Sequence, residues 1–300
     1  MRKEKTMNVI KNLFHVSLQQ NDYQGALDFY CGKLGFEQMF ELNVGQFKDM
    51  LQLGEHDEHD AMPWLTYLRV APEEYLEMFN GSINPPDFLR KPICPYPDTA
   101  FESFGLGCEN VAWTAERLKE RGVAVEDGCM TDPSGCRIRL VERKGHAAEQ
   151  ERLFTSLAGV SLYVNDLDTM ADHLSRMTFR LEEKTADRAL FTVGETGQYV
   201  ELLKAPAPVR VYDDDLLGHI ALQIYKVTDT VKAWGANGAY CCPQPFLRDV
   251  QVPADDTAVG NLGLDGCEII WMVCPEGNKI EVMVQPGNTT QQEWERKHPY

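Results

Sequence analysis

The sequence predicts an α+β protein built from four β-α-β-β-β units in tandem, and three observations carry that reading. Three alternating stretches begin alike: His15-Val16-Ser17-Leu18, Gly159-Val160-Ser161-Leu162 and His219-Ile220-Ala221-Leu222. Three others end alike: Tyr75-Leu76-Glu77-Met78, Tyr199-Val200-Glu201-Leu202 and Lys279-Ile280-Glu281-Val282. Segments of helical periodicity follow the starts, and a Pro/Gly turn precedes the last strand of two units. Alternation marks a strand with one buried face, so the recurrence marks a repeated supersecondary unit. His15 to Glu77 and His219 to Glu281 both span 62 positions.

Three hundred residues suffice for one large domain or two ordinary ones, and 43% hydrophobic residues supply a core. The net charge of −17 argues against nucleic acid, because phosphate binding needs a basic face. It also disfavours an anionic membrane surface. No apolar run approaches the roughly 18 residues of a membrane helix. The start, Met1-Arg2-Lys3-Glu4-Lys5, is charged and lacks the apolar core of a secretory leader. The nine cysteines are scattered, odd in number and mostly within apolar strands. They read as reduced thiols packed as small hydrophobes, which suits a cytoplasmic protein.

Taken in order, residues 1–10 read as a polar arm. The first unit, residues 11–83, opens with a strand over 13–19. Asn21-Asp22 caps a helix over 23–34, where Ala26, Leu27, Phe29, Tyr30 and Leu34 share a face, and Gly35 stops it. Residues 36–42 and 50–53 read as strands and 54–61 as an acidic loop. Strands over 64–71 and 75–79 close the unit. A Pro-rich crossing over 84–99 follows. The second unit, 100–144, starts near Ser103. It has a helix over 111–121 between Asn110 and Gly122, and it ends with a turn and a strand over 137–141. This unit is short by a strand. The third unit, 153–205, starts at Ala158, with Asn165-Asp166 before a helix over 167–177 and a closing strand over 198–203. The fourth, 216–287, has strands at 218–224, 267–273 and 279–284 and a helix over 227–237. Its irregular stretch, 246–266, reads as a lid or as an unrecognised element. The polar tail, 288–300, reads as mobile.

Gly25-Ala26-Leu27-Asp28-Phe29-Tyr30, followed by Lys33-Leu34-Gly35-Phe36-Glu37, resembles the first helix and turn of the vicinal oxygen chelate superfamily. That group includes glyoxalase I, methylmalonyl-CoA epimerase, extradiol dioxygenases and fosfomycin and bleomycin resistance proteins. Asp132-Pro133-Ser134-Gly135-Cys136-Arg137-Ile138 and Cys274-Pro275-Glu276-Gly277-Asn278-Lys279-Ile280-Glu281 resemble its terminal hairpin. The resemblance runs from about Leu13 to Gln285. It is specific for fold and weak for reaction. It implies units paired into two cupped, incomplete barrels, with metal ligands on the first and last strands. Carried over by position, unit one offers His15 and Glu77, and unit four offers His219 and Glu281. Unit two offers Ser103 and Arg139, and unit three Gly159 and Glu201. The implied pairing is one with four and two with three, giving one complete site and one degenerate barrel.

Two neutral imidazoles and two carboxylates neutralise a divalent ion and leave positions open on a six-coordinate centre. That suits one Zn, Ni, Co, Mn or Fe ion. The resemblance implies a small substrate whose vicinal oxygens chelate the ion, an enediolate stabilised there, and Glu77 or Glu281 as the base. The activity so implied is that of a glyoxalase I-type isomerase, lyase or epimerase. An Fe(II) extradiol-type ring-cleaving dioxygenase using His15, His219 and Glu281 stays open, as does a non-catalytic small-molecule-binding or resistance protein. The implied partner is a small molecule, and the chain is expected as a monomer or homodimer.

Other residues read as structural. A lone strand histidine is usually a core or edge residue, and only the repeat argues otherwise for His15 and His219. Glu201 reads as a structural or surface position and His173 as exposed on a helix. His56-Asp57-Glu58-His59-Asp60 reads as a solvated acidic loop. Trp64, Tyr67, Phe79, Phe246 and Trp271 read as core aromatics or pocket walls.

Overall fold

Short polar side chains set the helix starts. Asp22 accepts a hydrogen bond from Gly25 N at 3.0 Å, Asn110 from Trp113 N at 2.9 Å and Asp166 from Thr169 N at 3.0 Å. Each satisfies an amide that the first helical turn leaves free. The computed structural model describes residues 9–51, 55–81, 100–146, 151–209, 219–238, 240–242, 252–253, 261–262, 267–277 and 279–300. The Pro-rich crossing and most of 246–266 lie outside the described residues.

The first unit comprises β1 (Ile10–Gln20), α1 (Tyr23–Leu27), a π-helical turn (Asp28–Lys33), β2 (Glu37–Asn43), α2 (Val44–Leu51), β3 (Pro63–Ala71) and β4 (Glu74–Asn80). Gly35, at φ 83°, ends the helical run in a left-handed conformation that suits glycine. The second unit has β5 (Phe101–Cys108), α3 (Val111–Glu120), β6 (Cys129–Thr131) and β7 (Arg137–Glu142), one strand fewer than the first. The third has β8 (Ser156–Val164), α4 (Leu167–Arg176), β9 (Arg180–Lys184), β10 (Arg188–Val193) and β11 (Gln198–Lys204). The fourth has β12 (Ile220–Ile224), α5 (Val227–Ala236), β13 (Tyr240–Cys242), β14 (Val252–Pro253), β15 (Asn261–Leu262), β16 (Glu268–Val273) and β17 (Lys279–Val284). Helix α6 (Thr290–Lys297) follows.

Two sheets result. The first runs β14-β13-β16-β17-β12-β1-β4-β3-β2, with β15 also on β16. The second runs β6-β7-β5-β8-β11-β10-β9. In each, two first strands meet antiparallel at the middle, β1 with β12 and β5 with β8. Each first strand is flanked on its other side by its own unit's last strand, running parallel. The α+β class and the repeated unit expected from the sequence are borne out. A shared core of buried side chains from both sheets joins them. Gln198 stitches the seam, accepting from Leu13 N at 2.7 Å and donating to Leu13 O at 3.0 Å and Leu157 O at 2.9 Å.

The structure corrects several expectations. Residues 50–51, expected in a strand, end helix α2. Asn43 Oδ1 accepts from Gln46 N at 2.8 Å and Gln46 Oε1 from Asn43 N at 2.9 Å, a reciprocal cap that starts this helix. The tail is not loose: Thr289 and Gln292 form the same box for α6, and Tyr300 is buried, its hydroxyl donating to Phe154 O at 2.7 Å. His173 is buried on the sheet-facing side of α4 with Met170 and Leu174, not exposed. Burial, with Arg176 beside it, pushes its imidazole down to about 4. β1 starts at Ile10, inside the expected polar arm. The stretch 246–266, expected as a lid or an unrecognised element, does hold two short strands, β14 and β15.

Candidate metal centre

The antiparallel pairing of β1 with β12 sets His15 opposite Ala221, and Ser17 N donates to His219 O at 2.8 Å. Two histidines 204 positions apart in the chain thereby face each other, Nε2 to Nε2 at 3.0 Å. β4 places Glu77 opposite Ser17, and β17 places Glu281 opposite Ala221. In both units the glutamate stands across from the residue two beyond the histidine. Side chains two apart on a strand share a face, so histidine and glutamate point the same way.

The distances within the cluster are short and even. His219 Nε2 lies 3.0 Å and His15 Nε2 3.3 Å from Glu281 Oε2. Each lies 3.4 Å from Glu77 Oε2. One ligand atom from each of the four residues falls within 4.8 Å of the other three, and all four residues are buried. Ligands about 2.1 Å from a common ion at angles of 90–109° sit roughly 3.0–3.4 Å apart. The spacing therefore fits a divalent ion.

Charge and satisfaction agree with the spacing. Two buried carboxylates facing two neutral imidazoles leave an excess of two negative charges, costly without a counter-cation. Glu77 Oε2 is buried without a hydrogen-bond partner. Burial alone would raise the Glu281 carboxyl. The hydrogen bonds of His15 and His219 outweigh it and hold that carboxyl below its ordinary value.

Two aromatic rings flank the cluster at matching positions. Tyr67 pairs across the sheet with Glu77, and Trp271 with Glu281. Tyr67 stands edge-on to His15, ring centres 5.7 Å apart, and Trp271 edge-on to His219 at 4.9 Å. The sequence named both as aromatics without tying either to a ligand. The missing signal was their cross-strand partner, which needs the register. Trp64 and Phe79 pack in the core instead, and Phe246 lies outside the described residues.

In the second sheet the corresponding positions hold Ser103, Arg139, Gly159 and Glu201. Gly105 pairs with Arg139 and Ser161 with Glu201, the same offset of two. The Arg139 guanidinium donates to Glu102 Oε2 at 2.7 Å and to Glu201 Oε2 at 3.2 Å. Ser161 Oγ donates to Glu201 at 2.6 Å, Arg188 also binds it, and Arg137 donates to Glu102 at 2.6 Å. Glu201 is thus a buried member of an ion-pair network. Glu102, which the sequence did not single out, is its second carboxylate. A Cβ on Gly159 would lie 2.2 Å from Tyr199 O. The acidic loop carries its own cation: Lys48 Nζ donates to Asp57 and Asp60, each at 2.9 Å.

Residues 12–149 match the Glyoxalase/Bleomycin resistance protein/Dioxygenase superfamily. Among solved structures, glyoxalase I from Zea mays is similar at 16% identity and a TM-score of 0.60, over 96% of this chain and 97% of that one. A putative dioxygenase from Bacillus subtilis subsp. subtilis str. 168 is similar at 15% identity and a TM-score of 0.62, over 96% of this chain and 91% of that one. No curated protein matches the sequence. At such identities the structural likeness speaks for the fold, which here extends over nearly the whole chain. Among the described residues, no helix is long and apolar enough to cross a membrane.

Proposed function

We propose that this chain, whose residues 12–149 belong to the Glyoxalase/Bleomycin resistance protein/Dioxygenase superfamily, is a metal-dependent isomerase or lyase of glyoxalase I type. The observation that carries the reading is the convergence of His15, Glu77, His219 and Glu281 on one point. A divalent ion held by these four residues would supply Lewis acidity toward two adjacent oxygens of a small substrate. The chain's own part is to hold those oxygens in a buried cup and to move a proton. One glutamate, Glu77 or Glu281, takes a proton from the substrate carbon beside the oxygens, forming its O–H as the C–H bond breaks. It returns that proton to the neighbouring carbon or oxygen, so the carboxylate is regenerated. Burial of the cluster keeps bulk water from intercepting the proton.

Four protein ligands favour this reading over oxygen chemistry. Two positions of six remain, and a bidentate substrate fills both, whereas ring cleavage needs a further position for oxygen. The decisive measurement is metal content of the untagged wild-type protein and of His219→Ala. About one ion per chain, lost in the variant, supports the site. Isomerisation of an α-oxo or α-hydroxycarbonyl substrate by the loaded protein would then support the reaction. Iron with oxygen uptake on a catechol would replace it by the dioxygenase. Absence of metal after reconstitution would leave a binding protein on the same fold.

A further inference from the structure

We infer that Tyr67 is a positioning residue for the metal cluster, fixing the tautomer and orientation of His15; the inference rests on the four-residue site proposed above. The Tyr67 hydroxyl lies 3.2 Å from His15 Nδ1, on the side of the ring away from the cluster. His15 Nε2 faces the other three ligands. A histidine that ligates through Nε2 must keep its proton on Nδ1, and that N–H needs an acceptor. The phenolic oxygen is that acceptor. The same hydroxyl is then free to donate toward the cluster, and Tyr67 stands directly across the β3–β4 pair from Glu77.

The ring itself is held on three sides. Phe40 stacks on it at 5.0 Å, 18° from parallel, Tyr75 meets it edge-on at 6.0 Å, and His15 lies at right angles to it. A phenol so packed cannot swing away when the cluster changes. The other half of the site is built differently. Trp271 takes the matching position beside His219, and indole Nε1–H is a donor only. The two histidines are therefore unequal: His15 meets a hydroxyl at Nδ1, and Trp271 stands edge-on to His219.

The test uses the whole chain loaded with Co(II) and with Zn(II). Tyr67→Phe keeps the packing and removes only the oxygen. It should weaken metal affinity in a chelator competition by 10- to 100-fold, with a changed Co(II) visible spectrum and a circular dichroism spectrum like wild type. Affinity within twofold of wild type would overturn the inference while leaving the metal site standing. Wild-type protein that takes up no metal would overturn the site itself, a separate result. A second readout compares the two Zn-loaded proteins by NMR: the His15 Nδ1–H resonance of the wild type should move upfield in Tyr67→Phe, because its hydrogen-bond acceptor is gone. An unmoved resonance would overturn the inference.

Discussion

Where the first sheet carries His15, Glu77, His219 and Glu281, the second carries Ser103, Arg139, Gly159 and Glu201 at matching places in the register. Both centres bury carboxylates, and both need positive charge. In the second, the charge is covalent: Arg139 bridges Glu102 and Glu201, with Arg137 and Arg188 outside it. In the first, two imidazoles and two carboxylates, one with an oxygen that has no hydrogen-bond partner, converge on one point that could hold an ion. A guanidinium stabilises a buried carboxylate but offers it no open coordination position. The difference teaches that one fold can spend the same strand positions on cohesion or on chemistry. The choice turns on whether the cation is part of the chain.

The strongest way to break this comparison is Gly159→His. If ligand identity alone separated the two centres, restoring a histidine would begin to rebuild a site. The Cβ would lie 2.2 Å from Tyr199 O and 2.5 Å from its ring, so a loss of about 3 kcal/mol or more is expected. Urea denaturation checks it. A variant of wild-type stability that takes up a second ion would show the centres to be interchangeable.

Arg139→Ala comes next. It removes the bridge and leaves Arg137 on Glu102 and Arg188 on Glu201. The expected loss is about 2 kcal/mol, typical of a hydrogen bond to a charged group lost from a buried network, with metal content of the first centre unchanged. Stability within half a kcal/mol of wild type, on the scale of an exposed ion pair, would mean that the guanidinium is not the counterpart of the ion.

The smallest effect is in acid. Burial raises the Glu201 carboxyl, but the Ser161 hydroxyl and the Arg188 and Arg139 charges outweigh it and hold it below 4.5. A carboxyl lowered by folding contributes stability that is complete above its ordinary value and is lost as pH falls through the folded value. Glu201→Gln should therefore flatten the decline of the urea midpoint below pH 4.5. Equal slopes in variant and wild type would remove Glu201 from the account.

Much of this was legible in the sequence, because the repeat does what a single residue cannot. A strand histidine is unremarkable alone; two at equivalent starts, each with a glutamate at the equivalent end, single out one face of one sheet. What escaped had local or three-dimensional causes. Helices α2 and α6 were announced by Asn43 with Gln46 and Thr289 with Gln292, capping boxes in segments whose polarity suggested loop or tail. The burial of His173 depends on which face of α4 meets the sheet. Tyr67 and Trp271 gain meaning only through cross-strand register, and Glu102 only through Arg139.

The central pairing of β1 with β12 has a consequence for the chain's birth. The strands of the second sheet lie within residues 101–204, so that sheet can assemble while synthesis continues. The first sheet cannot, because His15 waits for a partner 204 residues later. At roughly 5–20 residues per second, that is on the order of 10–40 s during which the first unit lacks the strand that completes its cup. The half held together by its own arginines is finished first. It gives the later strands a packed core to close against, and the four residues of the first centre can converge only after Glu281 has emerged.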